Sequence, residues 1–240
     1  MPKSAAALIE TLGPNAQGFS FALEQSHERV QLRALHRPDY GPIFADWLSA
    51  ETRRRIAAGR KQLLARAVGL HKTRDLKILD ATAGLGRDGY TLAALGAQVY
   101  MVERHAAIIA LLRDAHARAL ACADAVAIAQ RIEMIEGDAA QVFVNGDWDV
   151  IYLDPMYPHR GKTALPQKEM QVFRDLVGAD SDADALLAPA LQAARQRVVV
   201  KRADKAPWLA QRAPALSLSG SQARFDIYLT AATNTPHAAP

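Results

Sequence analysis

The stretch "LKILDATAGLGRDG", residues 76–89, decides the fold. It starts as a short apolar run, which ends at Asp80, and continues through a glycine-rich loop into a helical pattern. A buried strand, a glycine turn and a helix in this order are typical of the first unit of a parallel sheet. Ligands of such sheets bind at the carboxyl ends of the strands, so the polar residues at those ends are the ones to inspect.

Strands and helices alternate from this stretch to residue 229. Apolar runs predict strands at 76–80, 98–103, 132–135, 149–154, 197–201 and 224–229. Helical patterns occupy 89–96, 106–122, 168–177 and 184–194, and the last should be kinked or end near Pro189. This β/α alternation predicts an α/β fold with a largely parallel sheet that is covered on both faces.

The N-terminal part has a different pattern. Residues 19–23 and 30–35 alternate apolar and polar side chains, as half-buried strands do, and the segment between them could close a hairpin. The sequence therefore divides into a small β-containing lobe (1–50), a basic helical connector (51–74), the main α/β domain (75–232) and a flexible tail (233–240).

Composition favours a protein of the cytoplasm. The chain of 240 residues has a formal net charge of +4, which indicates a mild preference for an anionic partner. The lone Cys122 argues against disulfides, and the seven histidines show no metal-ligand spacing, so we expect no metal. No signal peptide is recognisable, and the longest apolar run (106–112) is too short to span a bilayer.

A run of basic residues fills the connector. It contains no acidic residue between its first and last members: Arg53, Arg54, Arg55, Arg60, Lys61, Arg66, Lys72 and Arg74. Such a run is either a solvated helix face or a surface that contacts phosphates, and the run alone leaves both open.

The glycine loop matches the dinucleotide pattern G-x-G-x-x-G at residues 84–89, so a nicotinamide-dependent dehydrogenase must be considered. Asp80 argues against that class, because a carboxylate would repel an anionic pyrophosphate. The same carboxylate would attract the sulfonium and ammonium groups of S-adenosylmethionine, by about 1–4 kcal/mol near a surface. Gly84 and Gly86 would let the backbone approach this cofactor closely, and Glu103 would suit its ribose hydroxyls.

Two more strand ends carry acids. Asp138 follows the third strand, where an acid can meet the adenine amino group, and Asp154 ends the fourth. Each acid alone could equally be a helix N-cap or a turn residue. Acids at successive strand ends beside a glycine loop make a cofactor site the better interpretation.

The fourth strand runs into "DPMY", residues 154–157, which resembles the (N/D)-P-P-(Y/F) motif of amino-group methyltransferases. The amino nitrogen of a base is a poor nucleophile because its lone pair is delocalised into the ring. Asp154 and the Pro155 carbonyl could accept its N–H groups, and Tyr157 could stack on the ring. The basic loop that follows could grip phosphates through Arg160, Lys162 and Lys168, or be an ordinary exposed loop.

Five segments together resemble the RsmJ family of bacterial 16S ribosomal RNA guanine-N2 methyltransferases. They are "LDATAGLGRDGY" (79–90), "IYLDPMYPHR" (151–160), "KTALPQKEMQVFRDLVG" (162–178), "RVVVKRADKAP" (197–207) and "RFDIYL" (224–229). Residues 53–70 resemble the basic helix of the family. Two departures are "IAAG" (56–59), where the family has a Gly-rich segment, and Asp138, where it often has a small residue.

The resemblance implies a Rossmann-like class I methyltransferase sheet, mostly parallel with an antiparallel last strand. It implies S-adenosylmethionine as the cofactor and a guanine near the 3′ end of 16S ribosomal RNA as the target, in free RNA or in the small subunit, and a monomer is expected. The cofactor site it implies comprises Arg87, Asp88, Glu103, Arg104, Asp138, Ala139 and Asp154. Arg53, Arg54, Arg55, Arg60 and Lys61 become candidate RNA contacts.

Two alternatives stay open at this point. Nothing in the residues themselves excludes another exocyclic amine, such as adenine N6 in DNA or RNA. A non-catalytic, RNA-binding ribosome assembly factor with a vestigial cofactor pocket is the other, and the complete set of acids argues against it.

Overall fold

The structure, a computed structural model, describes residues 7–144, 146–156, 168–178, 182–221 and 223–230. Two β-sheets are present in this part of the chain. The small one has three antiparallel strands, β1 (Ala7–Leu12), β2 (Phe21–Gln25) and β3 (Val30–Ala34). The predicted hairpin is confirmed as β2–β3, whereas β1 was not predicted. The predicted tail, residues 233–240, lies outside the described residues.

The basic connector consists of two short helices with a 3₁₀ turn between them. Helix α1 (Ala50–Ala57) starts at Ser49, whose side chain accepts a hydrogen bond from the Thr52 amide. The 3₁₀ turn covers Gly59–Lys61, and α2 (Leu63–Val68) ends at Gly69 with a φ of 94°. Residues 56–59, where the sequence differs from the Gly-rich segment of the family it resembles, are thus α-helical only at Ile56 and Ala57.

The large sheet has seven strands in the order β6-β5-β4-β7-β8-β10-β9. The strands are β4 (Lys77–Asp80), β5 (Gln98–Glu103), β6 (Ile132–Glu136), β7 (Trp148–Leu153), β8 (Ala194–Arg202), β9 (Leu216–Ser219) and β10 (Arg224–Leu229). Strands β4 to β8 run parallel, and the last strand, β10, is antiparallel to both neighbours. The fold class predicted from the sequence is confirmed, and β9 is an additional strand.

Six helices connect these strands within the described residues. They are α3 (Arg87–Ala94), α4 (Ala106–Leu120), α5 (Val126–Ala129), α6 (Ala139–Phe143), α7 (Lys168–Val177) and α8 (Ala183–Ala193). Helix α8 continues through Pro189 and does not end there. Ala185, whose carbonyl loses its helical partner to the proline, is exposed, so water can satisfy it. Within the described residues no helix has the length and apolar character needed to cross a membrane.

Each face of the large sheet is covered by its own apolar cluster. Adjacent residues of β4 point to opposite faces: Ile78 packs in one cluster and Leu79 in the other, and both are fully buried. The cluster around Ile78 also contains Phe21, Leu32 and Trp47 from the N-terminal lobe. The lobe is therefore part of the core that supports one face of the sheet, and β4 is held rigidly beneath the glycine loop.

Candidate functional site

A cavity of about 350 Å³ lies at the carboxyl ends of the parallel strands, where the sequence placed the site. Its wall combines the glycine loop, the ends of β4, β5, β7 and β8, and part of α7. The charged residues that line it are Glu51, Arg55, Asp80, Arg87, Asp88, Glu103, Arg104, Asp138, Asp154, Asp182 and Lys201. All predicted cofactor-binding residues except Gly86 line this one cavity.

Gly86 lies just behind the wall, where the chain turns into α3. Its φ is 72°, and a Cβ atom there would be 2.8 Å from Cζ2 of Trp47. The Trp47 indole cannot easily move, because its Nε1 donates to the Leu85 carbonyl at 2.9 Å. Gly84, with a φ of 54°, faces Phe173 of α7. The two glycines thus allow a tight loop between the N-terminal lobe and the cavity.

Asp80 forms the floor of the cavity. Its side chain is 1% exposed, and Oδ1 has no hydrogen-bond partner among the described residues. Burial, together with the nearby Asp88 and Asp154 carboxylates, raises the pKa of Asp80 well above its usual range. A buried acceptor without a donor is costly for the protein alone, and it suits a ligand that brings a cationic donor.

Glu103 and Asp138 line the cavity as predicted, and both also fix the local backbone. The Glu103 carboxylate accepts from the Gly84 amide at 3.2 Å and from the His105 amide at 2.8 Å. Asp138 is the N-cap of α6 and accepts from the Ala140 amide at 2.8 Å, while Ala139 is 8% exposed. A carboxylate has about four lone-pair sites, so the one bond to Ala140 leaves Asp138 acceptor capacity for a ligand.

A charged network connects the glycine loop to the end of β7. Nζ of Lys201 lies 2.8 Å from Oδ2 of Asp154 and 3.0 Å from Oδ2 of Asp88. The Tyr152 hydroxyl donates to the same Asp88 oxygen at 2.5 Å, and Arg55 pairs with the other oxygen of Asp88. Asp88 is thus the centre of the network, and its carboxylate is held by partners from three regions of the chain, α1, β7 and β8.

The ionisation of this network follows from its charges. Burial would raise the pKa of Asp88, but Lys201 and Arg55 outweigh it and lower that pKa to about 2. Burial would lower the pKa of Lys201, but Asp154 and Asp88 outweigh it and raise that pKa. At neutral pH the network therefore presents a protonated Lys201 to the cavity.

Asp154 lies at the point where β7 ends. Its amide donates to Oγ1 of Thr82 at 2.6 Å, which fixes the start of the turn relative to β4. The Asp154 side chain is 39% exposed and Pro155 is buried. Tyr157, Arg160 and Lys162 lie outside the described residues, so their predicted roles remain predictions.

The N-terminal lobe holds the wall that α7 contributes. Asp175 of α7 accepts from Nε of Arg37 at 2.5 Å and lies 2.9 Å from Nε2 of His36. The Tyr40 hydroxyl donates to the side chain of Gln171 at 2.9 Å. Since α7 places Met170 and Phe173 against the cavity, the lobe shapes the site without contributing acids to it.

The remaining predicted residues fall into two groups. Arg87 pairs with Glu169 at 2.7 Å and Arg104 with Asp182 at 2.6 Å, both at the cavity rim. Among the candidate RNA contacts, Arg53, Arg54, Lys61 and Lys168 are exposed, whereas Arg60 donates to the Leu95 carbonyl and Arg55 reaches into the cavity.

Sequence reasoning missed Lys201 and Tyr152 as site residues, and it placed Arg55 only on the RNA surface. For Lys201 a signal was available. It is a charged residue at the carboxyl end of the apolar strand "RVVVK" (197–201), and the same rule identified the acids. Tyr152 gave no such signal, because it lies inside an apolar strand and only the register shows that its hydroxyl points to Asp88.

Comparisons with known proteins agree with this geometry. A family model described as "Putative SAM-dependent methyltransferase" matches residues 8–230. The chain is 46% identical to the ribosomal RNA small subunit methyltransferase J of Aliivibrio fischeri over 225 residues, 88% of this chain and 87% of the relative. It is 44% identical to the protein of the same description from Tolumonas auensis over 230 residues, 94% and 92% of the two chains.

A solved structure extends the comparison to three dimensions. The crystal structure of an S-adenosylmethionine-dependent methyltransferase from Neisseria gonorrhoeae superposes with a TM-score of 0.67 at 36% identity. The match covers 90% of this chain and 82% of the other. The similarity therefore includes most of the chain and not the central sheet alone.

Proposed function

The chain belongs to the family of the S-adenosylmethionine-dependent ribosomal RNA small subunit methyltransferase J, and from this we propose that it methylates the N2 amino group of a guanine in 16S ribosomal RNA. The observation that carries the proposal is the position of Asp154 at the carboxyl end of β7. This residue follows a buried strand and lines the cavity; its amide donates to Thr82, and its carboxylate pairs with Lys201. A preorganised hydrogen-bond acceptor at this place is what a weakly nucleophilic amino group requires.

The residues around the cavity fit S-adenosylmethionine, which when bound supplies an electrophilic methyl group on its sulfonium. Asp80 offers a buried acceptor for the ammonium group, and its charge would offset the cationic sulfonium. Glu103, Asp138 and Ala139 line the cavity; in the proposal Glu103 accepts from the ribose hydroxyls, and Asp138 with Ala139 contacts the adenine. Gly84 and Gly86 allow the loop to lie close to the ligand, with Arg87, Asp88 and Arg104 around it.

Asp80→Asn should therefore have two effects of opposite sign. Because the pKa of Asp80 is raised by folding, the ionised carboxyl destabilises the fold at neutral pH. This destabilisation is absent below the unfolded pKa of about 4 and grows as the pH rises above it. We expect the variant without ligand to be more stable at neutral pH, and its affinity for S-adenosylmethionine to fall at least tenfold, since about 1.4 kcal/mol of charge attraction is lost.

Thermal unfolding between pH 4 and pH 8 and calorimetric titration with the cofactor measure the two effects. Asp124→Asn is the matched control, because Asp124 is exposed and does not line the cavity. Wild-type affinity in Asp80→Asn would contradict the role of Asp80 in cofactor binding.

In the proposed reaction, Asp154 and the Pro155 carbonyl accept hydrogen bonds from the amino group. This localises the nitrogen lone pair while the new N–C bond forms. Asp154 is also positioned to take the proton that the nitrogen then releases. Tyr157 would stack on the guanine ring and hold it in line with the methyl group.

We propose that the RNA lies across the basic connector (51–74). Arg53, Arg54 and Lys61 are exposed there, Lys168 is exposed at the start of α7, and we propose that Arg160 and Lys162 also contact phosphates of the RNA. Phosphate contacts of this kind position the RNA without reading its sequence. We further propose that the protein acts as a monomer in the cytoplasm, where small ribosomal subunits are assembled.

The decisive experiment uses small ribosomal subunits from a strain that lacks the enzyme. They are incubated with the purified protein and labelled S-adenosylmethionine, and the modified nucleoside is located by mass spectrometry. We expect a single N2-methylguanine in 16S RNA. Label on adenine would instead indicate an adenine methyltransferase, and the absence of label on RNA would indicate a non-catalytic assembly factor.

A further inference from the structure

Lys201 is an unexpected residue in this cavity. A lysine ammonium beside a site for a cationic cofactor is electrostatically unfavourable, and binding that cofactor gives no reason for it. Lys201 is nevertheless held there by two carboxylates, with its Nζ 2.8 Å from Asp154 and 3.0 Å from Asp88. Its side chain is 28% exposed, so it is neither buried in the core nor free in solvent. Its position next to Asp154 points to a role towards the substrate.

The Watson–Crick edge of guanine matches the pair that Asp154 and Lys201 form. Guanine presents an acceptor and two donors in a row, namely O6, N1–H and N2–H. A carboxylate can accept both N–H groups at once, and an ammonium beside it can donate to O6. Adenine presents an amino group where guanine has O6, and a lone pair where guanine has N1–H. Adenine would therefore place a donor against Lys201 and a lone pair against Asp154.

We propose that Lys201 is a specificity-determining residue, which donates a hydrogen bond to O6 of the target guanine while Asp154 accepts from N1–H and N2–H. The inference rests on the proposed function, because it takes methyl transfer to a base amino group as given. It adds the reason why that base is guanine.

The hydrogen-bonding capacity of the pair permits this arrangement. A lysine ammonium has three donors, and in the described part of the chain two of them are directed at Asp88 and Asp154. The third can therefore serve O6. Oδ2 of Asp154 accepts from Lys201 and keeps a second lone pair for N1–H, and Oδ1 would accept from N2–H. The two carboxylates keep Lys201 protonated, so the donor is present at physiological pH.

A substrate with 6-thioguanine at the target position isolates the contact to O6. Sulfur is a weak acceptor, whereas N1–H and N2–H are retained. The substrate is 16S RNA carrying a ligated synthetic segment and assembled into small subunits. For the wild-type protein we expect kcat/KM to be at least tenfold lower with 6-thioguanine than with guanine. In Lys201→Met the activity on guanine should fall, and the ratio between the two bases should approach one.

Lys205→Met is the matched control, because Lys205 is an exposed lysine four residues further along the chain, and it should keep the wild-type ratio. Equal use of both bases by the wild-type protein would overturn the inference while leaving the proposed function intact, and it requires no variant to fold. An unchanged ratio in a folded Lys201→Met protein would overturn it as well. If the wild-type protein methylates no guanine at all, the proposed function fails and the inference with it.

Discussion

Replacing Asp154 by alanine is expected to leave the fold intact and to reduce methyl transfer at least tenfold. Asp154 is 39% exposed in the cavity, so its loss creates no buried void. Lys201 keeps its second partner, Asp88, at 3.0 Å and does not become an unpaired charge. What is lost is the acceptor that localises the lone pair of the amino nitrogen. Removal of one preorganised group of this kind costs about 10²–10³ in rate.

Single-turnover methylation of small ribosomal subunits, with the cofactor saturating, measures this loss in the chemical step. Asp124→Ala is the control for removal of an exposed carboxylate, and it should behave as the wild-type protein. Asp154→Asn retains one acceptor oxygen, so we expect its rate of methyl transfer to lie between the rates of Asp154→Ala and the wild-type protein. Turnover close to that of the wild type in Asp154→Ala would remove Asp154 from the mechanism.

Burial determines which strands can be predicted from the sequence. Strands β4 and β7 are apolar runs because both of their faces are covered, and their patterns predicted them. The two strands that were missed, β1 and β9, are edge strands with mostly exposed side chains. Backbone pairing with one neighbour holds them in place, and a pattern of apolar residues carries no information about such pairing.

The site could be predicted from the sequence where it depends on strand ends. Asp80, Glu103 and Asp154 each follow a recognisable strand, and the parallel topology brings them to one edge of the sheet. The contacts of Asp88 could not be predicted in this way. Its partners Arg55 and Lys201 are 33 residues before it and 113 residues after it in the chain. Only the packed structure shows that both reach the same carboxylate.

The position of Asp88 leads to the second large effect: Asp88→Ala is expected to lower the free energy of unfolding by about 3 kcal/mol. The carboxyl is 8% exposed and pairs with Lys201, Arg55 and the Tyr152 hydroxyl. Removing one member of a buried ion pair costs about 3–5 kcal/mol, because the remaining charges lose their partner. The lower end applies here, since Arg55 is 35% exposed and can turn towards solvent.

Chemical denaturation at different pH values separates this effect from a simple loss of packing. Lys201 and Arg55, acting against burial, lower the pKa of Asp88 to about 2 in the fold, compared with about 4 in the unfolded chain. The stability that Asp88 contributes is thus fully present above pH 4 and is lost as the pH falls towards 2. The difference between wild type and Asp88→Asn should follow this course, because the amide retains the shape without the charge.

Glu136→Ala provides the comparison with an exposed ion pair. Glu136 pairs with Arg113 at 2.9 Å, and the two side chains are 45% and 58% exposed. Such a pair contributes about 0–1 kcal/mol, so this variant should unfold almost as the wild type does. If Asp88→Ala were as stable as Glu136→Ala, the Asp88 carboxylate could not be the centre that holds Lys201 beside Asp154. The relative positions of Asp154 and Lys201 would then have to be maintained by the fold of β7 and β8 alone.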